Sequence, residues 1–308
     1  MRPRLHPLVL LALVAALCAA VVGALAWYRS RKLATVADLV RRLPEGSKAV
    51  LFVDLRPLRD TGTLARALHA VKITEEPEYQ AFVVETGFDA ERDLDAVLVG
   101  FHEDHTYVLV LGRFQWGRLR QYAAAQGGSC RNAFCQVPGS APERLVSFFP
   151  LRRDVLALAV GRDPWGALEL MQPHSGMAPA GPRGVVWLSA SAAWLRDRLP
   201  SPSVRSALSS VFADADRLFL WAELGTDGVQ VRLELACRSE IHAAALAGQL
   251  RAAAERLLSD PSPGRADQSA STLAGVLSRG AFDHSGSRLF GRWQVEYSTL
   301  AALAAESF

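Results

Sequence analysis

Hydrophobic positions fall into two regimes along the chain. Residues 7–28 (PLVLLALVAALCAAVVGALAWY) form one unbroken apolar run of 22 residues without a charge. At ~1.5 Å per residue, a helix of that length crosses a hydrocarbon core of roughly 30 Å. Beyond Lys32 the apolar stretches become short and are separated by Gly, Pro, Asp and Ser clusters. That second pattern belongs to a folded α+β body.

Within the body one order of elements occurs twice. Residues 49–55 (AVLFVDL) and 185–189 (VVWLS) read as strands, each just after a Pro-x-Gly turn. Two helical stretches follow each strand, 57–71 and 77–86, then 192–199 and 202–212. Pro77 suits a first helical position, and Gly87 a helix stop. A β-hairpin comes next in both halves. Residues 95–101 and 106–111 flank His102-Glu103-Asp104-His105, while 216–222 and 229–235 flank the turn signal Gly225-Thr226-Asp227-Gly228. In the last of these strands Val229, Val231, Leu233 and Leu235 alternate with Gln230, Arg232 and Glu234, which predicts one buried and one wet face. Helices at 116–126 and 240–258 follow, the second capped by Ser239. Strand pairs at 145–150/155–160 and 280–284/288–296 and closing helices at 164–171 and 298–305 complete each half.

The shared order, β-α-α-β-β-α-β-β-α, predicts an α+β fold of two similar halves with a mainly antiparallel sheet. Its core is similar to the split β-α-β, ferredoxin-like arrangement. Residues 1–32 form an N-terminal tail and transmembrane anchor, 33–172 the first half, and 185–308 the second. Residues 173–184, with three prolines and three glycines, form the linker.

Flanking chemistry supports an anchor. Arg2 and Arg4 precede the apolar run, Arg29, Arg31 and Lys32 follow it, and Trp27 and Tyr28 stand where amphipathic rings favour headgroups. A cleaved signal peptide is the rival reading, since Ala24-Leu25-Ala26 fits a small-x-small site, but the run is long for a signal core. Leu17 before Cys18 argues against lipidation there. Basic residues are nearly balanced across the run. A tail this short normally stays inside, which places the C-terminal body outside the cytoplasm. The expected location is therefore the inner membrane of a bacterium, single-pass, with a periplasmic body.

Charge removes one class of partner. The whole chain carries a net +3, yet its first 32 residues hold five of the 34 Lys and Arg and none of the 31 acids, so the remainder is two charges negative. No basic excess is left for a nucleic-acid footprint. An excess of Arg over Lys with abundant Ala suggests a GC-rich bacterial genome.

Cysteine spacing adds one candidate. Cys130 and Cys135 bracket Arg131-Asn132-Ala133-Phe134, a spacing that suits a structural disulfide across a tight loop in an oxidising compartment; two unpaired thiols are the alternative. Cys237 reads as a buried strand thiol.

Catalytic signatures are missing from the sequence. The HEDH run at 102–105 offers four potential ligands in a row, but at a hairpin tip, where polar residues are expected anyway, and without the helical spacing of zinc enzymes. Asp93/Asp95 and Asp214/Asp216 recur at strand entries and read as turn or cap devices rather than an acid–base pair. Asp54 ends a strand, with Ser189 at the roughly equivalent place. Ser285 and Ser287 beside His284 lack the G-x-S-x-G elbow, and no phosphate-binding or dinucleotide glycine pattern occurs. The expectation is no catalytic, cofactor-binding or metal residue and no cofactor.

The stretches LPEGSKAVLFVD (43–54), TGFD (86–89) and DLD (93–95) carry a likeness. With the single anchor, the Leu-Pro before a first strand and the doubled α/β body, the chain resembles a loose class of uncharacterised bacterial envelope proteins. That resemblance implies no catalytic residue. The expected role is non-enzymatic binding, scaffolding or assembly at the membrane surface, with the bilayer and an envelope or membrane protein as partners. A hydrolase gathering His102, His105 and His284 from distant loops is one alternative. A lipid or small-molecule sensor is another.

Overall fold

In a computed structural model of the chain, residues 35–70, 76–139, 141, 143–174, 184–198, 215–259 and 273–299 are described. The apolar run at 7–28, the 202–212 helix, most of the linker, Asp214 and nearly all of the closing 298–305 helix lie outside them. Among the described residues no helix is long and apolar enough to cross a membrane.

Two β-branched, apolar runs meet at the centre. Ala49–Asp54 (β1) pairs antiparallel with Val186–Ser191 (β8), with Leu51 opposite Leu188 at mid-register. Outward from β1 lie Leu94–Phe101 (β2), His105–Gly112 (β3), Val155–Gly161 (β7) and Leu145–Arg152 (β6). Outward from β8 lie Ala215–Leu224 (β9), Gly228–Cys237 (β10), Arg288–Glu296 (β12) and Ala281–Ser285 (β11). Ser129–Arg131 (β4) and Phe134–Pro138 (β5) extend the first side beyond β6, giving one sheet of twelve strands among the described residues. The two halves therefore share a single sheet.

All of the strand pairs are antiparallel. This corrects the ferredoxin-like expectation. A split β-α-β core needs its first strand beside a parallel neighbour. Here both edges of β1 are already taken, by β2 and by β8. What holds is the coarser description, an α+β fold on a mainly antiparallel sheet.

Helices are labelled in chain order: α1 Val36–Val40, α2 Leu55–Asp60, α3 Thr63–Ala70, α4 Pro77–Thr86, α5 Ala90–Asp93, α6 Trp116–Ala125, α7 Ala192–Asp197, α8 Glu240–Ser259 and α9 Leu273–Ser278. The expected 57–71 helix breaks in two at Thr61-Gly62, where Gly62 adopts a φ of 68°. Gly87 ends α4 as expected, at a φ of 69°, its N–H reaching the Val83 carbonyl. Asp54 caps α2 by accepting from the Arg56 N–H, and Ser191 caps α7 by accepting from the Trp194 N–H. The counterpart of Asp54 is thus Ser191, two residues beyond the expected Ser189. The 164–171 stretch forms a 3-10 helix over Gly166–Met171.

Strand alternation divides the sheet into a front, bearing Leu51 and Leu188, and a back, bearing Phe52 and Trp187. Leu39, Val40 and Leu43 from α1 and its exit, with Ala167 and Leu170 of the 3-10 helix, cover the back of the first half. α8 covers the front of the second half, where Ala243, Leu246 and Ala247 pack with Leu218, Leu235 and Leu289. One row of the back core crosses five strands: Leu109, Leu98, Phe52, Trp187 and Trp221 are successive register partners. The sulfurs of Cys130 and Cys135 are bonded across the β4–β5 hairpin, 2.02 Å apart.

Candidate functional site

The hairpin tip between β2 and β3 gathers the residues that stood out for their chemistry. The His102 N–H donates to the His105 carbonyl at 2.9 Å, closing the turn. Both imidazoles pack on Tyr107, His102 edge-on at 5.0 Å and His105 stacked at 5.9 Å between centroids. Ser47 Oγ lies 2.7 Å from His102 Nε2 and also donates to the Pro44 carbonyl at 3.2 Å. His105 Nε2 accepts from the Asp163 N–H at 3.3 Å. The Tyr107 hydroxyl donates to Glu169 at 2.8 Å. Burial holds His102 below its ordinary pKa, and burial together with the Glu169 hydrogen bond pushes Tyr107 well above its own.

This geometry fixes a turn rather than activating a nucleophile. A serine–histidine pair needs a third group orienting the imidazole. Glu169, the carboxylate whose charge acts on His102, is engaged by Tyr107. His284 is far away. It lies on β11, six strand spacings from β2, roughly 30 Å at ~4.8 Å per step. The structure therefore brings His102 and His105 together but leaves His284 apart. Among the described residues no group of three or more His, Cys, Asp and Glu is placed to hold a metal ion.

The aspartates at the strand entry hold local structure. Asp93 is 10% exposed and binds Arg92 at 2.7 Å and Arg113 at 3.3 Å, and its carboxylate accepts from the Asp89 N–H at 3.1 Å. These contacts, the Arg92 hydrogen bond first, keep its carboxyl below the usual range. Asp95 pairs with Arg59 at 3.2 Å. Asp216 is exposed on β9.

A second place has the shape of a binding surface. Along β12 exposure alternates without a break: Arg288, Phe290, Arg292, Gln294 and Glu296 are exposed, while Leu289, Gly291, Trp293 and Val295 are buried. The exposed row belongs to the back of the second half. There an open groove of about 630 Å3 is lined by Trp221, Arg232, Glu234, Asp283, Phe290 and Arg292, among others. Phe290 is 37% exposed, against 7% for Trp221 at the groove's inner side. The groove begins where the apolar row of the back core ends, since Trp221 is followed in register by Arg232 and then Arg292. Its charges are partly tied: Arg232 lies 3.5 Å from Glu223, and Arg288 donates to Glu234 at 2.8 Å. Aromatic surface beside charged groups of both signs suits a partner with both apolar and polar character.

The sequence marks Arg232 and Glu234 only as the wet face of their strand and gives no sign of a groove. The signal existed in the period-two pattern of 288–296, whose polar phase carries two arginines and a phenylalanine. The roles of Ser47, Tyr107 and Glu169 had no local signal, because they meet across distant elements.

No family model matches the sequence, and no curated protein matches it. Among solved structures, crystal form I of TP0453 is similar in shape, with a TM-score of 0.49 at 12% identity, over 88% of this chain and 97% of that one. Crystal form IV gives 0.49 at 12% over 85% and 95%, and crystal form III gives 0.48 at 11% over 89% and 100%.

Proposed function

We propose that the protein is a membrane-anchored binding or assembly component whose body, built from two related halves, stands outside the cytoplasm of a bacterium. The supporting observation is the back of the second half, which no described helix covers. It is a rigid sheet face carrying the Trp221, Arg232, Phe290 and Arg292 groove, and its partner would be another envelope or membrane protein. The first half turns the same side of the sheet into core. This asymmetry gives the second half an exposed aromatic and charged surface, while residues 7–28, ahead of the first half, would attach the body to the membrane.

The test is in-cell photocrosslinking from position 290 in the full chain, followed by detergent purification and mass spectrometry. The expected result is one dominant crosslinked protein, lost on joint Arg232→Glu and Arg292→Glu substitution. Recovery of the uncrosslinked chain alone would overturn this reading. Alkaline extraction of the membranes tests the anchor separately, with retention in the pellet expected.

A further inference from the structure

The 3-10 helix at 166–171 leaves an apolar row in water. With three residues per turn, side chains three apart line up. Trp165, Leu168 and Met171 are 50%, 37% and 54% exposed, whereas Ala167 and Leu170 on the inner side are wholly buried. Large apolar side chains scattered singly need no explanation, but a contiguous row marks a contact surface. This row is also held rigid. Trp165 stacks on Phe134 at 5.2 Å, the Ala167 N–H donates to Ser147 Oγ at 3.1 Å, and Arg42 donates to the Leu170 and Met171 carbonyls at 3.3 and 2.5 Å. Glu169 is turned out of the row by its hydrogen bond with Tyr107.

We infer that this ridge rests in the headgroup layer of the membrane that carries the anchor. The inference depends on the anchor reading above and adds an orientation to it. Only residues 29–34 separate the apolar run from Thr35, the N-cap of α1. Fully extended, six residues span about 20 Å. α1 lies directly beside the ridge, since Arg42 just beyond its end grips the 3-10 helix. The tether therefore keeps α1, and the ridge with it, close to the bilayer.

The chemistry fits a lipid surface. Tryptophan favours the headgroup layer, and leucine and methionine enter the acyl boundary. Arginine stands at both ends of the ridge. Arg42 is at the Met171 end, and Arg131, the register partner of Phe134, is at the Trp165 end. Such flanks suit anionic headgroups.

The test uses the full chain reconstituted in vesicles of phosphatidylethanolamine and phosphatidylglycerol. A fluorophore is attached in one preparation to Leu168→Cys and in another to Ile241→Cys, on α8 and 80% exposed. Both carry Cys18→Ser. The expected result is that the Leu168→Cys dye is shielded from aqueous iodide about three-fold more than the Ile241→Cys dye, and is quenched by lipids labelled near the headgroup. Equal iodide quenching at both sites, with the protein resistant to alkaline extraction, would overturn the ridge assignment and leave the anchor standing. Shielding without lipid quenching would also overturn it, and would point to a second copy of the chain. Release by alkaline extraction would overturn both the anchor and the ridge.

Discussion

Truncating Trp187 tests whether the two halves fold as one body. Its ring is 2% exposed and sits on β8 between Phe52 of β1 and Trp221 of β9, so it belongs to the packing of both halves at once. A buried tryptophan removes about 150–250 Å2 from water, worth about 4–6 kcal/mol at ~25 cal/mol per Å2. Alanine keeps a small part of that, and collapse around the gap is limited because the neighbours are fixed in β ladders. The expected cost of Trp187→Ala is therefore about 4 kcal/mol, within the usual range for such truncations. A domain's whole stability is about 5–15 kcal/mol, so Trp187→Phe, at about 1–2 kcal/mol, provides a milder second variant. The assay is guanidinium unfolding of the full chain in detergent, followed by circular dichroism and by hydrogen exchange resolved to peptides. A single transition is expected, with protection lost in β2–β3 and in β9–β10 together. A cost below about 1.5 kcal/mol for the alanine variant, or protection lost only after residue 185, would refute the shared core.

Four further outcomes follow from named contacts. Above its ordinary pKa near 6.5, His102 is neutral in both folded and unfolded chains. As pH falls through that value the unfolded chain takes up a proton that the buried ring resists, so stability declines until the folded group itself titrates. His102→Gln should flatten that slope, and parallel losses in variant and wild type would count against it. Tyr107→Phe, which deletes the hydroxyl bound to Glu169, should cost about 1–2 kcal/mol in the same unfolding assay, and an unchanged midpoint would contradict it. Gly112→Ala places a Cβ 2.4 Å from the Asp93 carbonyl oxygen, a backbone atom that cannot swing aside, and should cost about 1–3 kcal/mol; a neutral substitution would show that the hairpin base yields. Cys130 and Cys135 should accept a thiol reagent only after reduction, and labelling of both without reductant would exclude the bond.

Local chemistry was readable in the sequence, and long-range partnership was not. Pro77 and Gly87 bound α4 because a fixed φ and a left-handed stop act within a few residues. Gly225-Thr226-Asp227-Gly228 makes its hairpin for the same reason. β4 and β5 went unseen because Ser129–Arg131 is too short to show a period, and its pairing depends on β5, β6 and the disulfide. The sequence predicts a helix at 164–171 but not its 3-10 winding, since spacings of three and four are hard to separate over six residues. Pairing of β1 with β8 joins segments more than 130 residues apart and leaves no trace in either run. The same limit hid the groove, where Trp221, Arg232 and Phe290 become neighbours only through register.

The join between β1 and β8 also bears on how the protein avoids its own kind. Each half alone would present its first strand, β-branched and apolar, as an open template for another chain. Pairing the two strands with each other uses up both templates. Among the described residues, the margins left to the sheet are β4, three residues tied back by Cys130–Cys135, and β11, five residues with Asp283 on an exposed face. Neither offers a long flat rail for strand addition. That arrangement confines misassembly to one place. Cutting the disulfide would free β4 and uncover the longer, apolar edge of β5.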